Sequence, residues 1–172
     1  AIEYCRERGL TRVREADAAR LPFEEESFDV VVMLDVLEHL EDDVAGSTEV
    51  ARVLKSGGLA VIAVPAFMFL WSVTDVVSHH FRRYRRAEVV GRLADAGLRI
   101  RYASYFNTFL FPVIALVRLA VRILHIPMKS EQSIEGKIGN EICYYIFSLE
   151  SRFIPSLRFP FGVSILVLAA KP

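Results

Sequence analysis

Cysteine is nearly absent from this 172-residue sequence. Cys5 and Cys143 lie far apart, with no CxxC spacing and no repeating framework, which excludes a disulfide scaffold, argues against structural zinc and favours a reducing compartment. No histidine, cysteine or carboxylate spacing supports another metal. Neither charge is in excess, since 21 lysines and arginines face 21 aspartates and glutamates, so no electrostatic ground points to nucleic acid. No glycine cluster precedes Gly57, and the dinucleotide fingerprint of nicotinamide-dependent oxidoreductases is therefore missing. The uncharged run 103–117 is 15 residues long, short of the roughly 20 that span a bilayer. The opening AIEYCRERG is charged and has no hydrophobic segment, so no secretory signal is expected and a cytoplasmic setting is. It begins on alanine in mid-helix, as a piece of a longer chain would.

What the sequence does have is Phe28 to His39, FDVVVMLDVLEH. From Phe28 to Leu34 the run is apolar and valine-rich, with Asp29 the only charge, which predicts a central strand covered on both faces. Asp35, Glu38 and His39 then leave that strand at its carboxyl end, where open parallel sheets bind ligands.

In chain order, residues 1–8 predict a helix ended by Gly9, Val13 to Glu15 a short edge strand, and Asp17 to Ser27 a loop. Asp42 to Leu54 predicts a helix with Val44, Ala51 and Leu54 for packing, Lys55 at its negative end and Gly57 closing it. Leu59 to Val64 predicts a second buried strand, parallel to the first because a strand, helix, strand unit forms a right-handed crossover. A long loop or short helix follows over 66–85, then a helix over 87–96 stopped by Gly97, a strand over 99–105 and a last strand over 161–169.

Phe106 to Leu124 is apolar, broken only by Pro112, Arg118 and Arg122, the two arginines sharing one helical face. Ile134, Ile138, Ile142, Leu149 and Phe153 continue at helical spacing despite Gly136 and Gly139. The expectation is one domain over 1–172 with a helical pair inserted over 106–158. That pair has three readings: a core lid, a homodimer interface, or a peripheral membrane contact through 106–124.

Four segments in order, Asp17 to Phe23 (DAARLPF), Phe28 to His39, Arg52 to Gly58 (RVLKSGG) and Leu59 to Pro65, resemble the class I S-adenosylmethionine-dependent methyltransferases. The resemblance runs from Ala1 to about Tyr105 and includes the final strand. It implies an α/β fold, a Rossmann-like three-layer sandwich whose last strand runs antiparallel between two others, with S-adenosylmethionine as cofactor. It also implies that Asp17 accepts from the adenine amino group beside the Ala18 amide, and that Met33, Leu34 and Asp35 line the methionine part. The family's glycine-rich loop and ribose-binding acid are not found, so the first two strands are expected to be absent. The Phe28 strand would then have a bare edge, and this chain alone would bind the cofactor poorly.

Beyond the family core, His79 to Tyr84 (HHFRRY) combines a base, two cations and an aromatic ring after the second buried strand, where a methyl acceptor is expected. His79 and Tyr84 are the candidate catalytic residues, since histidine deprotonates hydroxyls near neutral pH. Trp71, His80, Arg82 and Arg83 are candidates for holding a small-molecule or lipid-like acceptor. A structural reading stands beside each functional one: Asp17 as a turn cap, Asp35 as a first-turn acid, His39 as a surface residue and the arginines as partners of nearby acids. A non-catalytic, partner-binding remnant is the competing function.

Overall fold

The computed structural model describes residues 2–124, 137–154 and 156–172. Helix α1 (Ile2–Glu7) ends as expected at Gly9, whose φ of 77° lets Leu10 donate back to the Cys5 carbonyl. Both cysteines are half-buried and free. Val13 to Glu15 forms no strand; the segment runs without regular structure into a turn at Asp17–Arg20.

Strands β1 (Phe28–Leu34) and β2 (Leu54–Pro65) are parallel, joined by helix α2 (Asp43–Val53). Asp42 caps α2 by accepting from the Ala45 amide at 2.9 Å. The helix stops at Val53, so Arg52 and Val53 end it as expected, while LKSGG begins β2 directly instead of forming a glycine-closed loop. Gly57 takes φ 79° there, and Gly58 sits where a Cβ would lie 2.8 Å from the Lys55 carbonyl oxygen. Lys55 pairs with Asp29 across the strands instead of facing a helix end.

Helix α3 (Val73–Val77) interrupts the loop after β2; α4 (Arg86–Asp95) leads through Gly97 into β3 (Arg99–Phe106). Helices α5 (Phe111–Ile123) and α6 (Lys137–Ser151) then precede β4 (Ser164–Ala170). The sheet order is β1-β2-β4-β3, and β4 runs antiparallel to both neighbours, as the resemblance implied. A single apolar cluster lies between the sheet and helices α2 and α4, built on Ile62, Val64, Ile165 and Val167 from the strands and Val50, Val89 and Leu93 from the helices.

The expectation of a doubly covered β1 needs correction. Among the described residues it is the end strand, and Val30, Val32 and Leu34 are more than half exposed while Met33 is buried. Pairing at one edge only follows from the absence of a further strand among these residues.

The helical pair is present, but Ile134 and Gly136 lie outside the described residues, as do the side chains of Ile138 and Ile142. Helix α5 exposes Val113, Leu116, Val117, Leu119 and Ile123. Among the described residues no helix is long and apolar enough to cross a membrane.

Candidate active site

The site begins where β1 ends. Asp35 has φ 51°, and its amide donates to the Ala63 carbonyl at 2.9 Å. This left-handed conformation costs a non-glycine residue about 1 kcal/mol or more and persists only where surroundings enforce it. It turns the chain into a tight 3-10 turn, Leu37–His39, which buries Leu37 and Glu38 completely and leaves His39 exposed. Neither carboxylate oxygen of Glu38 has a hydrogen-bond partner. Burial pushes its pKa up to about 7, against the pull of its own backbone amide, and Asp35 adds to the rise.

The loop after β2 returns to the same place. Phe67 donates to the Tyr84 carbonyl and Tyr84 to that of Pro65, so residue 84 is stapled beside the strand end. The Phe81 amide donates to the Glu38 carbonyl at 2.8 Å and ties the two loops together. The His39 and His80 rings meet edge to face with centroids 4.6 Å apart. Partial burial, then the neighbouring His80, hold His39 below the ordinary histidine range.

Asp75 is the hub beneath them. Fully buried, it accepts from Arg83 Nε at 2.7 Å and from the Ser72 amide at 2.8 Å, and its Oδ1 lies 2.8 Å from His80 Nδ1. Burial alone would raise its pKa, but the Arg83 guanidinium, the Ser72 amide and His80 together hold the carboxyl below the usual range. A carboxylate only accepts, so His80 Nδ1 carries a proton toward Asp75 and Nε2 faces away from it.

A second buried acid, Asp43, gathers the rest of the HHFRRY segment. Tyr84, 1% exposed, donates its hydroxyl to Asp43 Oδ2 at 2.7 Å and to the Leu37 carbonyl at 3.1 Å. Burial, with Asp43 adding, raises the phenol pKa far above its ordinary value. Arg82 pairs with Asp43 at 3.0 Å and donates to the Glu41 carbonyl. Tyr84 and Arg83 are therefore built into the core rather than turned toward an acceptor. Of the other acceptor candidates, His79 is exposed, with φ 56°, and Trp71 and His80 are half-buried.

The residues assigned to the cofactor divide in the same way. Met33 is packed in the core, whereas Leu34 and Asp35 are open at the strand end. Asp17 is exposed and caps its own turn, Oδ1 accepting from the Ala19 amide at 2.9 Å. Ala18 lines a cavity of about 640 Å³ together with Ala16, Leu21, Phe23 and Phe28. Arg52 and Glu49 hold that wall: Arg52 donates to the Phe23 and Leu21 carbonyls, and Glu49 accepts from the Leu21 amide at 2.7 Å.

Sequence reasoning missed Glu38, Asp43 and Asp75 as organisers of this region. Ser72 and Asp75 had a legible signal in their capping-box spacing. The meeting of residues 38, 39 and 80 had none, because it depends on the crossover that brings the two loops side by side.

A family described as "Methyltransferase domain" matches residues 1–62. A "Probable S-adenosylmethionine-dependent methyltransferase" of Mycobacterium tuberculosis is 34% identical over 100 residues, 56% of this chain and 36% of that protein. A "Demethylmenaquinone methyltransferase" of Mycobacterium sp. is 46% identical over 57 residues, 33% of this chain and 24% of that one. The chain thus spans little more than a third of the length of the curated relatives it matches. In fold it is similar to a Thermotoga maritima protein described as a SAM-dependent methyltransferase, possible histamine N-methyltransferase, with a TM-score of 0.60 at 17% identity over 99% of this chain and 68% of that one. The antiparallel last strand between β2 and β3, the ordered motifs around β1 and these likenesses agree: the chain is similar in sequence over its first part, and in fold throughout its described residues, to S-adenosylmethionine-dependent methyltransferases.

Proposed function

We propose that the protein carrying this chain transfers a methyl group from S-adenosylmethionine to a small-molecule or lipid-like acceptor. The observation that carries this reading is the shared rim of β1 and β2, two parallel strands whose following loops meet through Phe81 and Glu38. Ligands of open α/β sheets lie outside such strand ends.

The residues present suit the adenine end of the cofactor. The cavity lined by Ala18 has apolar walls from Leu21, Phe23 and Phe28, and Asp17, the residue before Ala18 in sequence, has an exposed carboxylate that can accept from an amino group. Leu34 and Asp35 would line the methionine end, on the floor that Met33 forms from within the core. Bound there, S-adenosylmethionine supplies a methyl group activated by its sulfonium.

The chain's own residues have then to align an acceptor and receive its proton, and alignment supplies most of the acceleration. His79, exposed beside the rim, takes the proton on an imidazole nitrogen; Trp71 and Arg82 bound the approach. Tyr84 and Arg83 hold this loop in place from beneath through Asp43 and Asp75.

The test follows labelled methyl from S-adenosylmethionine, with the protein at its full natural length, into organic-phase and aqueous products. Label in the organic phase supports a lipid-like acceptor, and label in water-soluble products a small polar one. His79→Gln should cut the rate at least tenfold while leaving S-adenosylhomocysteine binding within twofold; an unchanged rate would remove His79 from the mechanism.

A second reading, a partner-binding module, is favoured by one observation: β1 ends the sheet with Val30, Val32 and Leu34 exposed. A monodisperse monomer in light scattering would count against self-assembly through this edge.

A further inference from the structure

The two loops at the strand ends bring three potential ligand groups together. One ligand atom each from Glu38, His39 and His80 lies within 4.8 Å of the others. We propose that Glu38, His39 and His80 form a binding site for a divalent first-row transition-metal ion, of the Zn²⁺, Mn²⁺, Fe²⁺ or Co²⁺ type.

Glu38 is the buried member of the cluster. It is 0% exposed, and both of its carboxylate oxygens lack any hydrogen-bond partner. A buried polar group left in this state costs about 1–3 kcal/mol, more when charged, and requires an explanation. Nearby Asp35 adds negative charge rather than relieving it. A cation between Glu38 and the two imidazoles would satisfy those oxygens.

His80 is prepared for the same role. With Nδ1 held by Asp75 Oδ1 at 2.8 Å, Nε2 is the ring nitrogen left to coordinate an ion. Metal-binding histidines commonly donate their other ring N–H to a carboxylate in this way, which fixes the tautomer and makes the ligand more basic. Asp75 is in turn immobilised by Arg83 and the Ser72 amide, so its orientation does not depend on the metal. His39 packs its ring edge to face on that of His80, which places the two imidazoles side by side at the rim.

The donor set decides the class of ion. Two imidazoles and one carboxylate suit zinc, manganese, iron or cobalt, whereas magnesium and calcium prefer all-oxygen shells. Three protein ligands also leave coordination positions open at the rim. If the methyl-transfer reading is correct, an oxygen of the acceptor can occupy one of them; the metal site itself does not depend on that reading.

The test is titration of the chelator-treated protein with Co²⁺, followed by its visible absorption, and with Zn²⁺ by calorimetry. One equivalent of Co²⁺ should bind with visible bands, and Zn²⁺ should displace it. Glu38→Gln and His80→Gln should each weaken Zn²⁺ binding at least tenfold, while His79→Gln leaves it within twofold. Asp75 is a positioning residue, and Asp75→Asn should weaken binding about 10- to 100-fold and change the cobalt spectrum. If Glu38→Gln does not fold, His39→Gln, altered on the exposed side of the cluster, carries the same expectation. Absence of stoichiometric binding, or binding equally strong in all variants, would overturn the proposal and leave Glu38 as a neutral buried acid.

Discussion

Arg83 Nε donates to Asp75 Oδ1 at 2.7 Å in an ion pair whose side chains are 5% and 0% exposed. The pair sits under the exposed loop that carries His79, and with the Tyr84–Asp43 and Phe81–Glu38 hydrogen bonds it holds that loop at the rim. Removing one member leaves the other charge buried, at a cost of about 3–5 kcal/mol. Arg83→Met should therefore lower the stability measured by urea unfolding by about 3 kcal/mol or more. Arg83→Lys should recover only part of it, because the guanidinium also donates to the Ala66 carbonyl.

Tyr84 is expected to act on stability rather than chemistry. Tyr84→Phe removes two hydrogen bonds, to Asp43 and Leu37, and should cost about 1–3 kcal/mol. Methyl transfer per folded molecule should stay within about threefold of wild type below the unfolding temperature. A hundredfold loss at unchanged stability would return Tyr84 to the catalytic residues.

Glu49 gives a pH dependence whose sign is fixed. The hydrogen bond from Arg52 holds its carboxyl below the usual range, with the Leu21 amide contributing after the opposing effect of burial. A depressed folded-state pKa means that the stabilisation is present above the unfolded value, about 4.3, and is lost as pH falls through the folded one. Wild type should thus exceed Glu49→Gln in stability at neutral pH, and the difference should shrink as the pH drops below 4. Because Arg52 and Glu49 also hold Leu21 and Phe23, the variant should weaken S-adenosylhomocysteine binding as well.

Two glycines should respond differently to alanine. A Cβ at Gly162 would lie 2.2 Å from the Phe106 carbonyl oxygen, where backbone meets backbone, so Gly162→Ala should cost about 3 kcal/mol or more. Gly57 has open space around it and only its φ of 79° to oppose a side chain, so Gly57→Ala should cost about 1 kcal/mol. Thermal unfolding of the two variants side by side checks the order.

The elements with strong periodicity or clear stops were legible in the sequence. Gly9 and Gly97 mark helix ends by their positive φ, Asp42 caps α2, and LAVIAV lies in a buried strand that stops at Pro65. RVLKSGG misled because a glycine pair reads as a helix stop, whereas here the glycines serve the irregular start of β2, where it meets Phe28 before regaining register at Val30. The β-branched run in β1 promised two covered faces, but composition says what a strand can bury and not which neighbours the chain supplies. At the rim, the His79 to Tyr84 segment was legible as a cluster of base, cations and aromatic ring, yet which of its side chains point inward was not legible. That depends on Asp43 and Asp75, buried acids reaching it from α2 and α3. Glu38 looked like one more rim acid until its burial was seen.

The central claim is that the cavity beside Ala18 belongs to a methyl-donor site, with Asp17 recognising the adenine end. The most direct measurement is calorimetric titration of S-adenosylhomocysteine into the full-length natural protein and into its Asp17→Ala variant. The account predicts one site per molecule and binding at least tenfold weaker in the variant, with thermal stability nearly unchanged because Asp17 is exposed and touches only its own turn. No binding to the wild-type protein, or equal binding to both forms, would contradict it.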